Sequence, residues 1–290
     1  MNHKNQKLLN NSASLPSTLA KNTLSKHNVT GKSTYLKTKS SKSDLLIYGK
    51  DACFAVWRTR PDDIIRVYLT EPNLAKMGPI LTWCASHKKA YHIVTHEDLD
   101  KITKSAHHGG FGLLTKIKPK LDFDGFMALM NPVALAPFVF IDGVSNPHNL
   151  GAITRSMAQF GLKFMVGEAG QLPAICSSWA RISQGGLEDI SVVTVNNKLK
   201  ALADLKQKGY NIYGVSHRAK TSCSLSKFIF KVPFGLVLGS ELTGLSQEIL
   251  PLLDETILIP GTGIIESLNV SSAAAICFYE YFKQSDLTYS

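Results

Sequence analysis

ESLNVSSAAAICFYEYF, residues 266–282, joins a polar run to a helix. From Val270 onward Ala and large apolar residues fall on every face of a helical repeat, the pattern of a helix buried all round. Ahead of it, Ser267, Asn269, Ser271 and Ser272 crowd the helix start, directly after the glycine loop IPGTGII at 259–265. A helix start needs one capping side chain, which Ser or Asn supplies by accepting a backbone N–H. Four polar side chains exceed that need. The surplus marks a place where the chain holds something besides its own helix.

Upstream, strand and helix patterns alternate. Apolar runs at 138–144 (FVFIDGV), 162–167 (LKFMVG), 190–195 (ISVVTV), 211–216 (NIYGVS), 234–240 (FGLVLGS) and 255–260 (ETILIP) predict strands. Helices are expected at 149–161, 173–184, 197–209, 246–254 and 269–285. Such alternation predicts an α/β domain with a parallel sheet covered on both faces, whose ligands sit outside the carboxyl ends of the strands. A smaller α/β unit is expected over 44–118. There LLIY turns at Gly49 into a helix, IIRVYLTE (64–71) and AYHIVT (90–95) read as strands around a helix at 73–88, and FGLLTKIK (111–118) closes the unit. HEDLDKITKS (96–105) reads as a short helix, with acidic residues in its first turn and Lys in its last, as the helix dipole favours. Residues 119–135 show no clear period and read as a linker with one helical turn. The second domain then covers 136–290.

Composition bounds the function class. A chain of 290 residues with 44% hydrophobic content fits two packed domains, and nothing approaches the apolar length of a membrane span. The five cysteines are scattered with no C-x-x-C pair, which argues for a reduced, cytoplasmic protein without disulfides or a metal site. The net charge of +10 is concentrated at the front: residues 1–43 hold eight lysines and no Asp or Glu. Rich in Ser, Asn and Thr, this arm reads as disordered and suited to sequence-blind affinity for phosphates. A solvated tail without a role, or a transit peptide, are the alternatives, the latter opposed by the lack of arginine before Arg58.

Three glycine-dense loops follow strands: DGVSNPHNLGAITR (142–155), LGSELTGLS (238–246) and IPGTGIIESLNVSS (259–272). In the first, Pro147 and Asn149 mark a helix start, with Asn149 as the expected cap. Arg155 would lean back over Gly151, whose missing side chain would leave that face open. An anion or RNA phosphate there would meet free N–H groups, the positive dipole end and a forked Arg donor. An Arg in a surface salt bridge is the alternative. In the second loop, Glu241 stands at a strand exit where burial is expected, and a buried carboxylate calls for a partner or ligand. A solvated loop residue is its alternative, and a capped helix with spare serines is that of the third loop.

Taken in order, N-x-G-x-x-x-R at 149–155, G-x-E-x-x-G at 239–244 and the IP…ESLNVSSAAAI block resemble the three motifs of the SpoU family of RNA ribose methyltransferases. SQGGLED (183–189) is similar to the family's S-x-G-A/G-x-E turn, and residues 44–118 resemble the substrate-binding domain of the branch that methylates large ribosomal RNA. The resemblance implies a SPOUT-type sheet with a deep trefoil knot, S-adenosyl-L-methionine bent within it, and a homodimer with both active sites at the interface. It implies that Leu238, Gly239, Ile259, Gly263 and Leu268 hold the cofactor, and that Asn149, Arg155, Glu241, Ser267 and Asn269 serve the chemistry. The partner implied is RNA, ribosomal before transfer, with no membrane and no metal. The chain departs from the family at Gly261, where Met is usual.

The reaction implied is methyl transfer to a ribose 2′-hydroxyl, usually of guanosine. Arg155 is the family's supposed base, yet a guanidinium stays protonated, so its expected part is to stabilise the developing alkoxide. Two rivals stand beside this reading: an RNA-binding or ribosome-assembly protein that has lost catalysis, and a knotted methyltransferase acting on a base.

Overall fold

The computed structural model describes residues 41, 43–130, 136–217 and 221–285. The basic arm expected over 1–43 lies almost wholly outside the described residues, as does the end of the 119–135 segment.

The first half is a four-stranded sheet of β1 (Asp44–Tyr48), β2 (Ile64–Leu69), β3 (Ala90–Ile93) and β4 (Phe111–Lys116), ordered β1-β4-β2-β3. β4 runs antiparallel to both β1 and β2, while β3 lies parallel to β2. Gly49, at φ 93°, turns the chain from β1 into α1 (Lys50–Thr59), a backbone geometry that favours glycine. The helix expected at 73–88 is shorter: α2 spans Gly78–Ser86, preceded by 3₁₀ turns at Glu71–Asn73 and Ala75–Met77. Pro79 accounts for its start, since a residue without an N–H suits only the first turn. α3 (His96–Thr103) forms where expected, with the Thr95 side chain accepting from the Asp98 amide.

The second half is an eight-stranded sheet in which every pairing is parallel, ordered β10-β12-β9-β11-β6-β7-β8-β5. Its strands are β5 (Leu121–Asp122), β6 (Phe138–Asp142), β7 (Phe164–Glu168), β8 (Ser191–Val195), β9 (Asn211–Val215), β10 (Cys223–Ser224), β11 (Phe234–Gly239) and β12 (Glu255–Leu258). The helices are α4 (Phe123–Leu129), α5 (Pro147–Gln159), α6 (Ser177–Ile182), α7 (Gly186–Asp189), α8 (Lys198–Gln207) and α9 (Val270–Gln284). Every residue of β6 and all but the last of β11 are buried, as strands covered on both faces must be.

Two expectations change. The segment read as a linker contributes β5, which pairs with β8, and α4, whose Phe126 is fully buried. Asp122 starts that helix by accepting the Gly125 amide at 2.8 Å. The helix expected at 246–254 is only a 3₁₀ turn at Leu250–Leu252, because Pro251 denies a longer helix its interior hydrogen bond.

One apolar core joins the halves. It runs from Ile47, Val56 and Leu113 to Val139, Ile153, Trp179 and Phe278. α6 packs on β1, and α9 packs on α5, with Phe160 against Tyr279 and Phe282.

Candidate active site

Because the strands are parallel, the chain leaves β6, β11 and β12 on one side of the sheet. β6 and β11 are neighbours with Asp142 opposite Gly239, and the strand order departs in opposite directions from this pair, the crevice where open α/β sheets bind ligands.

Asn146, not Asn149, caps α5: its Oδ1 accepts the His148 amide at 2.9 Å, and Pro147 takes the first helical position. Either Asn could have filled that role from sequence; the Pro at 147 decides it, since the cap must precede it. Asn149 is thereby free to face outward. Its Nδ2 donates to Glu241 Oε1, and its Oδ1 accepts from Asn269 Nδ2 at 3.1 Å. Asn269 in turn caps α9, its Oδ1 accepting the Ser271 amide at 2.9 Å and the Ser271 hydroxyl at 2.6 Å. The two amides are fixed in orientation, because a flipped Asn149 would point oxygen at a carboxylate. A single chain of hydrogen bonds therefore crosses all three glycine-dense loops.

Glu241 is exposed rather than buried. Its loop is held by its own backbone: Ser240 and Gly244 exchange hydrogen bonds at 3.0 and 2.9 Å. A Cβ on Gly239 would stand 2.3 Å from the Gly244 carbonyl carbon, so only glycine lets this loop fold down on the strand end. Beneath it, Asp142, 3% exposed, accepts the Ser246 amide at 2.7 Å and the Lys198 ammonium at 3.0 Å. Lys198 also meets Ser246 Oγ at 3.1 Å and Glu248 at 2.6 Å. Burial would lower the Lys198 pKa, but the hydrogen bonds and charges of Glu248 and Asp142 hold it above its ordinary value. Sequence reasoning passed over Asp142 and Lys198; the signal was an Asp ending an apolar strand, which is costly inside unless paired.

A cavity of about 1110 Å³ opens at the ends of β9, β11 and β12. Leu238, Gly239, Ile259, Gly263 and Leu268 all line it, together with Glu241 and Ser267. Every residue from 261 to 269 is exposed.

Arg155 stands apart from both the cavity lining and the hydrogen-bond chain. It is exposed, and among the described residues it has no ion pair, which removes the surface salt bridge as its explanation. Six residues separate it from Asn149 on α5, roughly 9 Å along the axis and about 120° around it. Gly151 does not open a face for it. A Cβ there would lie 2.7 Å from Ile182 Cβ and 3.0 Å from the Trp179 carbonyl oxygen, so this glycine lets α6 approach α5.

Residues 136–279 match the SpoU rRNA Methylase family, and residues 46–120 match a domain described as RNA 2′-O ribose methyltransferase substrate binding. The uncharacterized tRNA/rRNA methyltransferase YfiF of Escherichia coli O157:H7 is 32% identical over 245 residues, 82% of this chain and 68% of that protein. The chain belongs to the SpoU rRNA methylase family. By that membership it is an RNA methyltransferase. A SpoU relative with a named target, the 23S rRNA (guanosine-2′-O-)-methyltransferase RlmB of Shewanella oneidensis, is 27% identical over 248 residues, 84% of this chain and 98% of its own. The SpoU fold is also that of the AdoMet-bound rRNA methyltransferase from Sinorhizobium meliloti, at a TM-score of 0.69 and 17% identity over 85% of this chain and 89% of that one.

Proposed function

We propose that the protein transfers a methyl group from S-adenosylmethionine to a ribose 2′-hydroxyl of ribosomal RNA in the cytoplasm, with a guanosine as target. The observation that carries this reading is the Glu241–Asn149–Asn269 chain, which ties the three motif loops together beside a ligand-sized cavity. The cavity suits a nucleoside cofactor, with apolar Leu238, Ile259 and Leu268 for the flat base and glycine backbone at 239 and 263 for its polar edges. Bound there, the cofactor supplies an electrophilic methyl group on a sulfonium.

The protein's own part is to place and polarise the hydroxyl. Arg155, always charged, stabilises the oxyanion that develops as the proton leaves. Glu241 carries the acceptor for that proton, directly or through water, its Oε1 being oriented by Asn149. Asn269 fixes the third loop against the first, and Ser267 presents its hydroxyl to the cavity.

Arg155 lies outside the cavity of its own chain, and the cavity rim exposes Leu242 (86%), Ile264 (87%) and Ile265 (67%), with Ile276 and Tyr279 exposed on α9. A homodimer answers both facts: it covers the apolar rim, and Arg155 of the partner subunit serves the cavity. Mixing inactive Arg155→Ala chains with inactive Glu241→Ala chains then restores transfer, because one site of each mixed dimer is whole.

Transfer of labelled methyl from S-adenosylmethionine to ribosomal and transfer RNA, with the label mapped to ribose or base, tests the reading. Ribose label in ribosomal RNA, reduced at least ~100-fold by Arg155→Ala, is expected. Label on a base rejects it. No transfer to any RNA, with cofactor binding also absent by calorimetry, supports the RNA-binding rival instead.

A further inference from the structure

The turn Ser183–Glu188 touches both halves of the molecule at once. Gly185, at φ +92°, would place a Cβ 2.7 Å from Ala55 Cβ and 3.2 Å from the Asp51 carbonyl oxygen, both on α1 of the first half. Its neighbour Gly186 faces the other way. A Cβ there would meet Ala158 Cβ at 3.0 Å, the Thr154 carbonyl oxygen at 3.2 Å and Arg155 Cα at 3.4 Å, all on α5. Two consecutive glycines thus form a thin wall between α1 and the backbone that carries Arg155.

The wall is clamped at its far end. Glu188, whose side chain is 3% exposed, takes two of the three Arg60 nitrogens in a fork: Nε to Oε2 at 2.8 Å and Nη2 to Oε1 at 3.0 Å. Arg60 belongs to the first half, and its Nη1 also binds Asp63 Oδ2 at 3.2 Å, Thr115 Oγ1 at 3.2 Å and the Lys116 carbonyl at 2.7 Å. Lys118 closes the end of α7, its ammonium donating to the carbonyls of Leu187, Glu188 and Ile190 at 3.0, 2.6 and 3.0 Å. Within the turn, Gln184 sits at φ 49°, in the left-handed region a side chain rarely adopts.

We propose that this turn is a positioning element, which passes the seating of the substrate-binding half to the backbone under Arg155. RNA held by residues 44–118 would therefore act on the site through Arg60, Glu188 and the Gly185–Gly186 wall. The proposal rests on the reading of Arg155 as a site residue. Its physical warrant is the absence of slack: close-packed backbone and a nearly dry forked ion pair pass on displacement where a loose surface would absorb it.

Glu188→Gln removes the charge and keeps the shape; Arg60→Lys removes the fork and keeps the charge. Urea unfolding confirms that each variant folds. In each, kcat for ribosomal RNA falls about tenfold while the RNA KM stays within about twofold. Amide hydrogen exchange at Thr154–Ala158 rises about tenfold, with exchange in β6 and β7 unchanged. A loss confined to KM, or unchanged exchange at 154–158, overturns the proposal. The exchange result decides it even if wild-type protein transfers no methyl to any RNA, an outcome that would instead overturn the reading of the reaction.

Discussion

In the turn Ser183–Asp189, Gly185 and Gly186 each lie where a single added carbon meets a wall within 3.0 Å. In the loop Gly261–Asn269, nothing lies within 4 Å of where Gly261 or Gly263 would carry one, and all nine residues are exposed. As strings, SQGGLED and GTGIIESLN share glycines, a serine and a glutamate. As structures, the first uses glycine to remove volume so that two helices can approach it, and the second uses glycine to let the chain travel without support. Substitution in the packed turn should therefore cost folding first, whereas substitution around the open loop should cost activity first.

The sharpest way to break that contrast is Gly185→Val. It combines a left-handed backbone with overpacking against Ala55, and about 3 kcal/mol of stability is expected to be lost, read by urea unfolding. Asn149→Ala comes next. It strands Glu241 and Asn269 on an exposed surface, so methyl transfer falls about 100-fold, equivalent to ~2.7 kcal/mol, while the unfolding midpoint barely moves. Asn269→Ala blurs the contrast on purpose, because this residue both caps α9 and holds Asn149. A loss of about 1 kcal/mol in stability is expected beside a fall in transfer of about tenfold. Gly261→Ala is the smallest: with open space around it, stability changes by under ~0.5 kcal/mol in thermal unfolding. A large folding defect from Gly261→Ala, or none from Gly185→Val, would erase the distinction between the two turns.

Much of the architecture was readable because parallel strands buried on both faces advertise themselves. FVFID and FGLVL are apolar throughout, and α9 matches its expected bounds to within one residue at each end. The segment 121–129 was not readable as part of the sheet: β5 is two residues long, and two residues cannot show a period. The site was legible as residue types but not as contacts. Asn149 was misread as a cap because Asn146 and Asn149 have equal capping chemistry, and only the backbone beside Pro147 separates them. Gly151 was misread as an opening because sequence records an absent side chain without recording what fills the space, here Ile182. Glu241 was expected inside because its strand is; the loop closed by Ser240 and Gly244 carries it out. The contact between Arg60 and Glu188, 128 positions apart, leaves no local pattern at all.

The Lys198 ammonium below the site binds Asp142 at the end of one strand and Ser246 and Glu248 beyond the next. Removing one partner leaves a buried ion uncompensated, while exchanging the whole set for apolar residues need not. Tolerance to change should consequently fall with depth. A library randomised at residues 261–266 would return mostly folded chains, and one randomised at 142 and 198 would return the original pair or a joint apolar replacement. New target preferences in such an enzyme would thus accumulate at the rim, above a floor that changes all together or stays as it is.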